Sequence, residues 1–159
     1  MTRTNAREIA VHFIYNLYCT DEPIDKLIDV RLDEAYLPFL GEVEEIKDIY
    51  ADLTDEKQMA YIRELTQGVQ THRAELDAII ERYAVGWKVD RIVPVARAIL
   101  EVAIYEIREI KDVPTGAAIN EAVELSKGYV EPKTTAFING ILGSYAKEAE
   151  NDVSGDRHE

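Results

Sequence analysis

Cysteine occurs once in the 159 residues, at Cys19. One thiol excludes an intramolecular disulfide and any cysteine-based metal cluster. Near the end of an amphipathic segment it is expected to be a buried structural group rather than a nucleophile. Histidine is nearly as scarce: His12, His72 and His158 lie far apart, none at a two-ligand helical spacing, so neither a metal site nor a cofactor is expected. A glycine-rich phosphate loop, a nucleophile elbow and a dinucleotide fingerprint are all missing. Glu106, Glu121 and Glu124 lie on otherwise apolar segments, where capping, pairing with lysine or pointing outward is expected before acid–base work. No catalytic residue is assigned, and the chain is not expected to be an enzyme. No apolar run approaches the roughly 18 residues of a membrane span, and residues 1–20 lack the basic head and apolar centre of a secretory signal. A cytoplasmic protein without membrane attachment is expected.

Bases are also few, 18 lysines and arginines against 31 acids, for a net charge of −13. The deficit is local. Residues 21–56 hold 13 acids against 3 bases, whereas 57–110 are neutral overall. A chain this acidic repels nucleic acid at long range. Any RNA contact must therefore come from a restricted basic patch or be assisted by a basic partner.

What is present is a globular composition, 47% hydrophobic and 31% charged, on a chain long enough to bury close to 70% of its unfolded surface. The apolar period is helical almost throughout. Residues 5–18 read as an amphipathic helix, Asn5 serving as cap with Glu8 three positions on. Ala6, Ile9, Ala10, Phe13, Ile14 and Leu17 make its inner face. Arg3, Arg7, Val11, Tyr15 and Tyr18 align on the other side. Residues 21–53 form an acidic connector with breaks at Pro23, Pro38 and Gly41 and helical pieces around 25–40 and 43–52. From Asp55 to about Ala84, Met59, Ile62, Leu65, Val69, Leu76, Ile79, Ile80 and Tyr83 keep three-four spacing, one long helix with a kink expected at Gly68. Gly86-Trp87 marks a break, and Pro94 suits the first turn of the next helix. Residues 94–110 are apolar on two sides, the mark of a central helix. Asp112-Val113-Pro114 stops it. A short helix then runs to about Lys127, and the last spans about Thr134 to Glu148. No segment makes a convincing strand. The fold class is all-α, with about six to seven helices in two small subbundles, about 1–85 and 86–150 of a single domain 1–150. Residues 151–159 are expected to be a mobile polar tail.

Asn139-Gly140 stands inside the last helical pattern, although the dipeptide is a hairpin signal. A mid-helix glycine costs roughly 1 kcal/mol against alanine and suits a place where another backbone comes close. Gly140 is therefore expected to let the last helix approach helix 94–110, with Asn139 a buried, hydrogen-bonded amide.

For binding, the 127–137 helix hairpin offers two cations and a ring, Lys127, Lys133 and Phe137. Single-stranded RNA is held by such sets, bases on rings and phosphates on cations. The alternative, that Phe137 is core and the lysines ordinary surface residues, stays open on spacing alone.

The segments "GWKVDRI", "ARAILEVAIYEI", "DVP", "INEAVELSK" and "TTAFINGIL", with "NAREIAVHFIYNLY" near the start, resemble the NusB family of bacterial transcription antitermination factors over nearly the whole chain. The resemblance implies a non-enzymatic protein that pairs with the small-subunit ribosomal protein acting as NusE, recognises the boxA element of ribosomal RNA transcripts and works within the RNA polymerase antitermination complex. Family RNA contacts map onto Arg3 and Arg7 and onto the region of Lys133 and Phe137. Partner contacts map onto Tyr15, and also onto Tyr83 and Asp90, with Tyr18 beside Tyr15. The Tyr15–Tyr18 face would also serve a homodimer when the partner is absent. The alternative is a protein–protein scaffold of the same fold with little RNA affinity. Three departures are visible. The N-terminal arginines are sparser than in many members, which predicts weaker RNA binding. Ala96 and Glu101 replace an acid and an arginine, which is expected to alter the partner surface. Lys133 is positive where relatives are frequently acidic.

Overall fold

The structure is a computed structural model, and it describes residues 1–31 and 55–156. The helical pieces expected within 32–54 and the last three residues of the expected tail lie outside the described residues. Among the described residues there are six α-helices, one short 3-10 turn and no strand. They form two compact units, Met1–Thr71 and His72–Glu159.

In the first unit, α1 (Arg3–Leu17) starts one turn earlier than Asn5 would place it. The Thr2 hydroxyl, not Asn5, accepts the Asn5 backbone N–H at 3.0 Å. Both residue types cap well, and the choice falls to the one where the chain enters in extended conformation, Thr2 at φ −82, ψ 158. Ala6, Ile9, Ala10, Phe13, Ile14 and Leu17 are buried as their spacing requires. Val11 is buried too, so the expected outer stripe is interrupted. Cys19 follows in the closing turn and is exposed, contrary to the expected buried thiol, because the helix and its apolar face end at Leu17.

Helix α2 (Ile24–Arg31) packs on α1. Its first N–H, on Ile24, donates to Gln70 Oε1 at 2.9 Å, and Gln70 Nε2 donates to the Glu22 carbonyl at 3.1 Å. Arg63 reaches both Asp25 and Asp29, at 3.1 and 3.0 Å. Ile24 and Ile28 turn inward.

Helix α3 (Glu56–Tyr83) opens on Asp55, whose carboxylate accepts the Gln58 N–H at 3.2 Å. Its one non-helical residue is His72, at φ −105, ψ 15, rather than Gly68. Glycine permits a bend without imposing one, and the division between the two units falls at the same place.

The second unit contains the remainder of α3, then α4 (Pro94–Glu109), α5 (Thr115–Ser126) and α6 (Pro132–Asp156). The last three pack pairwise. Pro94 occupies the first turn of α4 as expected. That helix is buried nearly all round, at Ala96, every residue from Ala98 to Ile104, and Glu106. The outward alternative for Glu106 is thereby overturned, whereas Glu124 is exposed and bridges Lys127. Glu101 and Ala96 are both fully buried, so neither departure lies on a partner surface. Glu101 instead faces two arginines, Arg73 from α3 at 3.4 Å and Arg97 one turn back at 3.9 Å, and Arg97 also meets Asp77 at 2.7 Å. Alternate charges across the α3–α4 contact make this internal ion cluster.

The buried stripe of α6 is Thr135, Ile138, Ile141, Leu142 and Ala146. Asn139 and Gly140 fall between those positions and are exposed, and a Cβ on Gly140 would meet nothing within 4 Å. The expected close approach at Gly140, and the buried Asn139 amide, are therefore wrong. Helical periodicity turns both residues away from the contact that Ile138 and Ile141 make. The helix itself continues to Asp156, past the expected end near Glu148.

Candidate nucleic-acid interface

After α3 the chain must reverse at once, and Gly86 does so at φ +85, the only positive φ among the described residues. The turn is closed by the Trp87 N–H on the Ala84 carbonyl at 2.9 Å. The next residues wind into a 3-10 turn, Val89–Arg91, whose first N–H donates to Glu81 Oε1 at 3.1 Å. This leaves the Trp87 indole 54% exposed, above Arg91, Ile92 and Val93. Facing them is the first turn of α6, begun by Pro132, with Thr134 and Thr135 N–H groups returning to the Glu131 carbonyl. Lys133 and Phe137, four residues apart, project from one face of that turn with Thr134 between them.

The two segments enclose an open groove of about 280 Å³. Trp87, Ile92, Val93 and Phe137 give it apolar walls, and Arg91 and Lys133 bring cations. Among the described residues no carboxylate lines it. The start of a long helix beside it adds positive potential from the backbone. Two planar rings, aliphatic floor and two cations are the chemistry that receives a planar, apolar-faced group carrying negative charge.

Of the residues singled out in the sequence, Lys133 and Phe137 are thus brought together, and Phe137 is half-buried rather than core. Lys127 is not in this groove; it ends α5, with its ammonium 2.7 Å from Glu124. Arg3 lies in the first unit with its guanidinium 3.6 Å from the centroid of the Tyr61 ring and its Nε on Gln58 at 3.0 Å. Arg7 is only 9% exposed, 5.9 Å from the same ring. Tyr15 is exposed and meets Tyr18 edge to face at 6.4 Å. Tyr83 donates its hydroxyl to Glu148, which Arg82 also engages, and it packs edge-on against Tyr145 at 6.1 Å. Burial, with the Glu148 carboxylate next, pushes the Tyr83 hydroxyl up to about 12. Asp90 is exposed in the 3-10 turn.

Trp87 and Arg91 were missed as candidates. Their segment, "GWKVDRI", reads as a break between helices, yet it sets a ring and a cation four residues apart, the same signal that marked Lys133 and Phe137.

Among the described residues, six helices with a ring-and-cation groove at the head of the last one define an all-α helical-bundle protein. The chain belongs to the NusB family, whose model matches residues 4–147. It is 34% identical to the transcription antitermination protein NusB of Symbiobacterium thermophilum, over 98% of this chain and 96% of that one. Identity to the Bacillus subtilis protein of the same name is 33%, over 94% and 98%. Among solved structures, NusB of T. maritima superimposes with a TM-score of 0.75 at 28% identity, covering 93% of this chain and 92% of that one. The fold is shared as well with NusB in a crystal structure of the antitermination factors NusB and NusE in complex with double-stranded RNA, TM-score 0.71 at 23% identity over 92% and 96%. No helix among the described residues is long and apolar enough to cross a membrane.

Proposed function

We propose that this chain is a transcription antitermination factor without catalytic activity, a single NusB-like domain over residues 1–150 that works in the cytoplasm. It binds boxA-type single-stranded RNA jointly with a basic small-subunit ribosomal protein in the role of NusE, and so enters the RNA polymerase antitermination complex. The observation that carries this reading is the carboxylate-free groove, with Lys133 and Phe137 on one wall, in a chain of net charge −13. A lining without acids, on a body that repels polyanions, suits an anionic ligand with flat apolar faces. The basic partner offsets the remaining repulsion.

On the RNA side stand Lys133 and Phe137, with Lys127 near them in sequence, and Arg3 and Arg7 from α1. Of these arginines Arg3 is the more accessible, and Arg7 lies near the same Tyr61 ring. Tyr15 and Tyr18 of the first unit, and separately Tyr83 and Asp90 of the second, are the partner contacts, with Tyr15 exposed. One observation favours the scaffold reading instead: both N-terminal arginines are engaged by Tyr61. Lys133→Glu separates the two. The substituted residue is exposed, so folding is unaffected. The RNA reading predicts a loss of boxA affinity of roughly tenfold or more, since a cation is replaced by a like charge beside phosphate. Unchanged affinity, with ribosomal-partner binding also unchanged, supports the scaffold.

A further inference from the structure

We infer that the end of α3 and a turn of α6 form a guanidinium site, a carboxylate beside a phenol ring, which Arg82 fills in the free protein and an arginine of a basic docking protein fills in the complex. This rests on the partner side of the function proposed above. It adds Glu148 as the anchoring acid and Arg82 as an internal competitor.

The site is built by residues of the second unit alone. Glu148 accepts the Tyr83 hydroxyl on one carboxylate oxygen and the Arg82 guanidinium on the other. Tyr145, one turn back on α6, meets the Tyr83 ring edge to face at 6.1 Å, so the ring is fixed from α6 at both its hydroxyl and its edge. Arg82 lies over the same ring, its guanidinium carbon 5.6 Å from the centroid. A carboxylate oxygen and an aromatic face converging on one cation are what a guanidinium selects. A phosphate would meet the Glu148 charge, which excludes RNA from this site. Glu148 also stands just past residues 4–147, the stretch that matches the family model.

Arg82 is held far more loosely than the acid and ring that receive it. Its side chain is 66% exposed, against 25% for Arg73 and 19% for Arg97 in the internal ion cluster. An ion pair at that exposure contributes little, because water screens it and a long side chain is immobilised to make it. Arg82 and Tyr83 are moreover consecutive at the end of α3. Consecutive helical residues do not face each other, so Arg82 reaches the ring only by folding across the helix end. A cation arriving from outside keeps the contact between Glu148 and Tyr83 and releases one surface side chain. Charge commits the occupant: a chain of net charge −13 attracts a basic protein, and such a protein brings arginine.

The full chain is titrated with the basic ribosomal protein, affinity being read by calorimetry and the melting temperature of each variant taken alongside. Arg82→Gln removes the competitor and is predicted to tighten binding roughly threefold, the gain expected when an exposed ion pair no longer occupies the site. Glu148→Gln removes the charged acceptor and weakens binding by roughly tenfold. Lys147→Gln deletes the same charge from an exposed neighbour of Glu148 and tightens binding by less than Arg82→Gln does. Opposite signs from the two halves of one ion pair are the signature, since a purely structural pair shifts affinity the same way in both variants or in neither. Arg82→Gln is at an exposed position and decides the matter even where Glu148→Gln lowers the melting temperature. Affinity unchanged or weakened in Arg82→Gln overturns the site and leaves the partner reading standing. So does Lys147→Gln matching Arg82→Gln, which would reduce the effect to bulk charge. Absence of any binding by the wild type takes down the partner reading and the site together.

Discussion

The Tyr83 hydroxyl, held to Glu148 with Arg82 on the same carboxylate, shows what local environment does to one group. Its folded value, about 12, lies above the ordinary 10.0, so the protonated form is favoured by folding. The resulting stabilisation is complete below pH 10 and is lost as the pH rises toward 12. An ultraviolet titration of the wild type minus Tyr83→Phe is predicted to show one late-ionising phenol, moved back toward 10 by Glu148→Gln; an ordinary midpoint in the wild type contradicts the contact. Gly140 carries a second prediction at this scale. It is helical and exposed, with open space where a Cβ would stand. Gly140→Ala is predicted to stabilise by roughly 1 kcal/mol, raising Tm by about 2–4 °C. A fall in Tm would mean that the glycine is packed after all. Nothing within the fold explains why glycine occupies this position.

At the scale of elements, α3 and α4 are joined through charge. Glu101 is fully buried between Arg73 and Arg97. Removing it leaves two arginines facing each other in a poorly solvated contact, and Glu101→Ala is predicted to cost about 3 kcal/mol or more. Thermal unfolding should show a Tm lower by roughly 6 °C or more, and a loss within error would show that the arginines find water instead. The helices themselves were legible because their signal is local. Ile62, Leu65, Val69, Leu76 and Ile80 repeat at three-four spacing, and all are buried on α3. What depends on where the chain arrives was not legible: Thr2 rather than Asn5 caps α1, and the break in α3 sits at His72 rather than Gly68. Glu101 read as a surface acid because sequence does not disclose Arg73 waiting on another helix. The groove was half legible for the same reason. Lys133 and Phe137 are one helical turn apart and could be paired on paper. Trp87 and Arg91 join them only because the turn at Gly86 brings the connection against the start of α6.

At the scale of the whole molecule, charge decides how RNA is met. The acids concentrate in residues 21–56, and the groove's two segments lie outside that stretch. A protein of net charge −13 gains little from long-range steering toward RNA and depends on a small set of phosphate contacts. With so few contacts, affinity alone is modest and its salt dependence shallow. A basic partner supplies both attraction and further contacts, steepening that dependence. The direct test is titration of labelled boxA RNA with this protein, with and without the ribosomal partner, at two salt concentrations. The account predicts weak, salt-shallow binding alone and binding tightened at least tenfold, with a steeper salt slope, when the partner is present. Equal affinity and equal slope with and without the partner would contradict it.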